Sequence, residues 1–307
     1  MTSACPTLLI TGHTGFTGRN LWLHLRACDA RVRVVGFSSH LSREFPPGAQ
    51  IAGDLLHARG VIEVLRDVRP DFIVHAAGRT PPADGDRLWA ANVVTTANLL
   101  NAARCLHHPP RVVVIGSAAE YGPSCHPIGE AHPCQPVTPY GRTKLQQTRL
   151  AAAYGSTFGI PVMIARAFNL LGPGMSESLF AGTLCGQIAR SLPGSHLHLG
   201  NLGGMRDFLD IRDAVAAYWL IALSGKPGEV YNVCSGTAVA VRELVHCALA
   251  LAGKTAEVIH DGTRDTPGDV EFSCGDPGKL KALTGWQPRY SLSESLKDTL
   301  AWFRERT

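Results

Sequence analysis

Tyr140 and Lys144 stand four residues apart in Tyr140-Gly141-Arg142-Thr143-Lys144. On a helix they share one face, a single turn apart. An ammonium beside a phenol stabilises phenolate and lowers the Tyr pKa toward the working range. Such a Tyr can give a proton to, or take one from, a carbinol oxygen as hydride moves. Upstream, Ile115-Gly116-Ser117 closes an apolar run. A Ser at the carboxyl end of a parallel strand sits where such sheets bind ligands, and its hydroxyl can share the substrate oxygen with Tyr140. The same residues also suit a solvated helix face and a plain strand-end turn, so the elements that position them must decide.

Those elements begin at the N-terminus. Pro6-Thr7-Leu8-Leu9-Ile10 runs into Thr11-Gly12-His13-Thr14-Gly15-Phe16-Thr17-Gly18, and Leu21, Trp22, Leu23 and Leu25 follow. This reads as strand, glycine-spaced turn and helix. Gly12 permits the tight turn, Gly15 lets backbone approach a pyrophosphate, and Gly18 lets helix pack close to strand. The helix N-terminus offers unpaired N–H groups and partial positive charge to an anion. Thr14 and Phe16, inside the turn, are candidate dinucleotide contacts. With a nicotinamide cofactor bound there, Lys144 can also bond its ribose hydroxyls.

Short apolar runs over 7–11, 31–37, 71–75, 111–116 and 162–167 alternate with helical patterns over 15–28, 58–68, 88–105 and 140–154. The rhythm predicts an α/β fold: a Rossmann-type doubly wound parallel sheet with helices on both faces. Near-continuous runs such as Val112-Val113-Val114-Ile115 fit strands buried on both faces. Residues 1–171 form the expected dinucleotide-binding domain. Residues 172–307 form a smaller, loop-rich and mainly substrate-binding region, with helices over 212–223, 241–252, 277–283 and 292–306. A strand near 229–235 is expected to return to the main sheet.

The chain has 307 residues, 45% apolar and 18% charged, with net charge +4. A substantial core is available and disorder is disfavoured. The charge is too mild and scattered for nucleic-acid binding. Nine cysteines without a CxxC pair read as free thiols in a reducing cytoplasm, not as disulfides or a metal site. No apolar run approaches a membrane span, and the N-terminal run lacks the basic flank of a signal peptide.

The second strand ends in Ser38-Ser39-His40 with Arg43 nearby and no carboxylate where an NAD site places one for the ribose 2′-hydroxyl. Hydroxyls plus a cation suit a 2′-phosphate, so NADP(H) is expected over NAD(H). Ordinary turn serines and a solvated Arg43 would look the same.

The glycine turn, the strand-end Ser and the helical YxxxK, in that order, resemble the extended short-chain dehydrogenase/reductase family along essentially the whole chain. Further matches are Gly53-Asp54-Leu55, His75-Ala76-Ala77-Gly78, Asn92, Ser117-Ala118-Ala119-Glu120-Tyr121-Gly122, Arg166-Ala167-Phe168-Asn169 and Arg206-Asp207-Phe208. The resemblance implies Ser117, Tyr140 and Lys144 as catalytic triad. It places Asp54 and Leu55 by the adenine, with Ala76, Ala77, Gly78 and Asn92 along the cofactor groove. It also implies a homodimer paired through the helices over 92–105 and 140–154.

Phe168-Asn169, Gly172-Pro173-Gly174, Gly200-Asn201-Leu202 and Arg206-Asp207-Phe208 resemble the nucleotide-sugar branch, most of all the GDP-6-deoxy-D-mannose reductases, which reduce a C4 ketone with NAD(P)H. There the Asn, here Asn169, and the Arg, here Arg206, meet the substrate diphosphate. A turn cap at Asn169 and an ion pair of Arg206 with Asp207 or Asp210 are the plainer readings. The chain departs from that group after Gly78, where the loop is shorter, and around Thr266-Pro267-Gly268-Asp269, which lacks an Arg; Arg264 lies close by. Ala118 and Ala119 stand where a 4,6-dehydratase needs an acid–base pair, so dehydration is disfavoured. Cys125, His126 and His132 read as an exposed loop and not as an epimerising pair. Reduction of a 4-keto-6-deoxy sugar nucleotide and 4-epimerisation remain. The rivals are a non-catalytic dinucleotide-binding sensor and a reductase of non-nucleotide substrates.

Overall fold

The computed structural model describes residues 5–28, 31–265 and 268–306. The first half alternates strand and helix. In chain order it contains β1 (Thr7–Thr11), α1 (Phe16–Ala27), β2 (Arg33–Ser38), β3 (Gln50–Ala52), α2 (Ala58–Val68), β4 (Phe72–His75), α3 (Gly85–Trp89), α4 (Thr95–Ala103), β5 (Arg111–Ser117), α5 (Pro139–Phe158) and β6 (Val162–Ala167). These strands form one parallel sheet in the order β6-β5-β4-β1-β2-β3. The order reverses between β1 and β4, which opens a crevice at their carboxyl ends, the ligand position of such sheets.

Covering both faces explains the apolar runs. Every residue of β1 and β6 is buried. Leu9, Ile73, Val112 and Val114 face a core shared with α2, α4 and α5, where Val61, Leu65, Leu99, Leu100 and Ala151 lie. Leu8, Ile10, Val74 and Val113 face the opposite core with Leu21, Trp22 and Leu25 of α1. Each such aliphatic side chain contributes about 1.5–3 kcal/mol.

The second half supplies β7 (Asn169–Leu171), α6 (Phe180–Arg190), β8 (His196–Leu199), β9 (Met205–Asp210), α7 (Ile211–Ser224), β10 (Val230–Val233), β11 (Ala238–Ala240), α8 (Val241–Ala252), β12 (Glu257–His260), β13 (Phe272–Ser273), α9 (Gly278–Thr284) and α10 (Leu292–Arg304). β10 extends the main sheet beside β6. β9 collects β7 and β13 in parallel and β11 antiparallel, and β8 pairs with β12. Leu184, Cys185 and Ile188 of α6, Leu244 and Val245 of α8, and Leu296 and Leu300 of α10 share a separate core.

Several elements differ from the sequence expectation. α7 lies beyond residue 172, yet Ile211, Val215, Tyr218 and Ile221 bury against the same face as α1. The stretch after Gly172 contains α6 and the small sheets, whose runs are too short to register as a rhythm. The helix expected over 88–105 starts at Gly85 and is divided by a π turn over Ala90–Val94. Asp84 caps it, accepting from Arg87 N at 2.7 Å. α5 runs past Tyr154 because only Gly159, at φ +67°, stops it. The edge strand β3 has three residues and no apolar run to announce it.

At the crevice, Gly12 adopts φ +70° and lies flat on the end of β4. A Cβ there would stand 2.7 Å from Ala77 Cα and Ala77 N. Neither the backbone angle nor the contact tolerates a side chain. Gly12→Ala should therefore lose about 2–4 kcal/mol of stability, read as a lower urea midpoint at unchanged m-value.

Candidate functional site

Ser117 ends β5, and a single 3-10 turn over Ala118–Glu120 follows. The turn folds Glu120 back under the strand: its Oε1 accepts from Ser117 N at 2.8 Å, and Ser117 Oγ accepts from Ala119 N at 3.2 Å. The other carboxylate oxygen takes the Nε–H of Arg166 at 2.9 Å. Arg166 comes from the neighbouring strand, in register with Gly116, and lies over the Tyr121 ring at 4.5 Å. Both charges are buried. Glu120 is thus committed to the interior, and Ala118 and Ala119 carry no acid or base.

Helix α5 starts with Pro139 at its first position and Thr138 as cap, which accepts from Gly141 N at 3.0 Å. A Cβ on Gly141 would lie 2.3 Å from Ala119 O. The missing side chain lets the first turn of α5 close on the turn after β5, which brings Tyr140 to Ser117. Burial pushes the phenol up to about 12; the neighbouring Ser117 side chain opposes this, and the Glu120 charge adds to it. This corrects the sequence expectation of a phenol made acidic by Lys144. The Lys144 ammonium is held instead by Ile115 O and Gln147 Oε1, each at 2.5 Å. Burial drives Lys144 down to about 8, against the attraction of Glu120.

The dinucleotide turn has the features of a phosphate cradle. Gly15 caps α1 without a side-chain bond, and the first turn carries no acidic residue, so its N–H groups and dipole face the crevice undiminished. A Cβ on Gly18 would stand 2.4 Å from Gly12 O. These residues fit a dinucleotide pyrophosphate. Phe16 packs between two cores. Thr14 Oγ1 lies 3.3 Å from Ser38 Oγ, and Ser38 donates to His40 O at 2.9 Å. Ser39 and Arg43 are exposed. The carboxylate closest in sequence, Glu44, is paired with Arg19. Asp54 is exposed and accepts from Leu56 N at 2.9 Å, whereas Leu55 points into the core. Ala76 and Ala77 line the crevice against Gly12.

Three expected ligand contacts, Asn92, Arg206 and Asn169, also have partners within the chain. Asn92 is fully buried; its Oδ1 accepts from Arg79 N at 2.9 Å, and its amide donates to Arg79 O and Thr143 Oγ1, each at 3.1 Å. It ties the segment after Gly78 to α5. Arg206 pairs with Asp269, Nη2 to Oδ1 at 2.6 Å, and not with Asp207 or Asp210. Asp207 instead accepts from Ser235 N, Ser235 Oγ and Gly236 N at 2.7–2.9 Å. Asn169 Nδ2 donates to Asp207 O at 3.0 Å. Arg264 pairs with Asp261; Thr266 and Pro267 lie outside the described residues. Cys125 and His126 are exposed and His132 partly so.

Comparison with known proteins follows the same lines. The profile of the family described as GDP-mannose 4,6 dehydratase matches residues 9–299. The chain belongs to that family. It is 30% identical to GDP-6-deoxy-D-mannose reductase of Pseudomonas aeruginosa, over 97% of both chains. It is 29% identical to dTDP-6-deoxy-L-talose 4-dehydrogenase (NAD(P)(+)) of Kitasatospora kifunensis, over 96% of this chain and 95% of that one. Among solved structures, RMD from Pseudomonas aeruginosa complexed with NADPH superposes with TM-score 0.86 at 30% identity, covering 98% of this chain and all of that one. UDP-glucose 4-epimerase of Thermus thermophilus in complex with NAD gives 0.88 at 26%, with the same coverage. The extended short-chain dehydrogenase/reductase fold is thus established, and the family members carry nicotinamide dinucleotides. Among the described residues no helix is long and apolar enough to cross a membrane.

Sequence reading passed over Glu120 and Gln147 as site residues. Gln147 stands three residues after Lys144, a spacing that places both on one helix face; Glu120 gave no periodic signal.

The Lys144 shift has a measurable consequence. Between pH 8 and 10.5 the unfolded chain holds this proton and the folded chain does not. The group therefore penalises the fold below pH 8, and the penalty lifts as pH rises through that window. A 13Cε titration should show one lysine with a midpoint near 8, absent in Lys144→Met.

Proposed function

We propose that this protein is an NADPH-dependent reductase of a nucleotide-linked 4-keto-6-deoxy sugar, of the GDP-4-keto-6-deoxy-D-mannose type. The observation that carries the reading is the placement of Ser117 at the carboxyl end of β5, of Tyr140 in the first turn of α5 closed on the turn after that strand, and of the buried Lys144 held by Ile115 O. The names of the relatives point to the substrate class, and the NADPH complex of the structural neighbour fits the serines and Arg43 after β2.

When bound, the reduced nicotinamide supplies hydride to the C4 carbonyl carbon. Tyr140 donates the proton that the developing alkoxide needs. The neutral phenol is the form that can give this proton. Ser117 orients the carbonyl oxygen, with its backbone fixed by Glu120. Lys144 presents its ammonium to the cofactor ribose. Gly12, Gly15 and Gly18 hold the pyrophosphate. Asn169 and Arg206 position the sugar through its diphosphate; Arg206 exchanges Asp269 for phosphate oxygens, a charge-for-charge swap that keeps its guanidinium paired. Ala118 and Ala119 stand where a 4,6-dehydratase needs an acid–base pair, which disfavours dehydration.

The experiment is a panel of GDP-, dTDP-, UDP- and CDP-linked 4-keto-6-deoxy sugars with NADPH and NADH, with the product read by NMR. Net consumption of NADPH supports reduction. Interconversion of C4 epimers without net cofactor use would make the protein an epimerase, and cofactor binding without turnover a sensor. Tyr140→Phe should lower turnover by roughly 10²–10⁴ with modest change in substrate affinity. Arg206→Ala should weaken the sugar nucleotide by about 1.5–3 kcal/mol by calorimetry, leaving NADPH affinity unchanged. A homodimer through α4 and α5 is part of the same reading, and sedimentation tests it.

A further inference from the structure

Behind Lys144 runs a chain of buried polar side chains. Lys144 Nζ donates to Gln147 Oε1 at 2.5 Å. Gln147 Nε2 donates to Thr96 Oγ1 at 2.8 Å. The same hydroxyl meets His75 Nε2 at 2.8 Å, and His75 Nδ1 meets Thr11 Oγ1 at 2.7 Å. Thr11, His75, Thr96 and Gln147 are each no more than 1% exposed. The chain crosses β1, β4, α4 and α5 directly beneath the carboxyl ends of the strands. None of Gln147, Thr96 or His75 has a part in the mechanism proposed above.

The direction of every bond follows from donor and acceptor inventory. Thr96 Oγ1 gives its one proton to Asn92 O at 2.7 Å, because a carbonyl only accepts. It must therefore accept from both Gln147 and His75. Acceptance from His75 requires a proton on Nε2, so the neutral ring has Nδ1 free to accept from Thr11. Acceptance from Gln147 requires its amide nitrogen, which turns its oxygen to Lys144. A flipped amide would set N–H against N–H at the ammonium, and its oxygen against a Thr96 hydroxyl with no proton left to give. Burial and the Lys144 charge both hold the His75 ring neutral, down to about 3, so its tautomer persists over the working pH range.

We propose that Gln147 is a positioning residue for Lys144: its amide oxygen fixes the ammonium, and the Thr96–His75–Thr11 chain locks that amide in the one orientation able to do so. Two of the three ammonium protons are then held, one by Gln147 and one by Ile115 O. One remains for a ligand. This rests on the role given to Lys144 under the proposed function, but the wiring itself does not. Because both protein acceptors are neutral, the choice of residue at 147 also governs how readily Lys144 keeps its proton. The other groups facing Lys144 are few. Glu120, from the turn after β5, attracts it and is itself paired with Arg166 of β6. His75 of β4 is neutral, α4 contributes the uncharged Thr96, and Tyr140 lies one turn earlier on α5 itself.

The test uses the full chain and the Lys144 13Cε titration, with Gln147→Glu, Gln147→Met and the pair Thr96→Val and Thr96→Ser. A carboxylate at 147 should raise the midpoint by one unit or more. Methionine, which removes the acceptor, should lower it. Thr96→Val, which unlocks the amide, should move the midpoint in the same direction as methionine, and Thr96→Ser should restore it. A 15N imidazole spectrum should show His75 as the neutral Nε2–H tautomer from pH 5 to 9. Opposite shifts for the first two variants support the proposal. Equal midpoints, shifts of one sign in both, or an Nδ1–H ring would overturn it. If methionine prevents folding, the glutamate variant and the Thr96 pair still decide. NADPH affinity, followed by fluorescence in the same samples, separates the two readings: a parent protein that binds no NADPH sinks the proposed function but leaves the titration result standing, and the converse holds equally.

Discussion

The site depends on one buried carboxylate. Glu120 accepts from the backbone of Ser117, takes the guanidinium of Arg166, and acts on the proton affinities of Tyr140 and Lys144. A buried ion pair of this kind brings little net stability, because desolvation offsets most of the attraction. Its effect is geometric. The pair bolts the turn after β5 to β6, so that Ser117 cannot drift from the strand end. Removing either partner would strand a charge in the interior, which is why the two act as one unit.

Around that anchor, close backbone approach does the positioning. Gly141 admits Ala119 O, and so the first turn of α5 reaches the strand end. Gly12 admits the Ala76–Ala77 backbone, and so the glycine turn lies against the end of β4. Asn92 and the π turn that carries it close the third side, joining the segment after Gly78 to Thr143. The polar groups left beneath the crevice, from Thr11 through His75 to Lys144, satisfy one another. The result is a floor of mutually satisfied polar groups under the crevice.

The second half of the chain follows the same logic with different chemistry. Asp207 is buried without a cation and is satisfied by the N–H groups of Ser235, Gly236 and Gly275, with the Ser235 hydroxyl. It pins the loops after β10 and β13 to β9. This sets Asn169 and Arg206 on one strand pair, since Asn169 lies opposite Phe208 in the parallel register of β7 and β9. The main sheet and this region are further joined by α7, which buries its apolar face beside α1. The main sheet and the region after Gly172 are therefore parts of one packed body, not beads on a linker.

Much of this was legible in order and spacing. The apolar runs of β1, β4, β5 and β6, the glycine turn and the Tyr140–Lys144 pair are local signals, and local sterics and periodicity settle them. The helix at Ile211–Ser224 was legible as a helix but not as a cover for the main sheet, because amphipathic spacing names a buried face and not its partner. The proton affinity expected for Tyr140 differs for a related reason. Four residues of spacing brings two side chains to one face, but burial and a carboxylate from another strand outweigh their mutual effect. Likewise the residue types of Asn92 and Arg206 did not announce their partners within the chain, Arg79 and Thr143 for Asn92 and Asp269 for Arg206. Residue order and spacing alone set the glycine turn and the elements on which Ser117, Tyr140 and Lys144 ride. Only the tertiary structure decided which of them stay available and in what protonation state, because desolvation and hydrogen-bond partners come from segments tens of residues away.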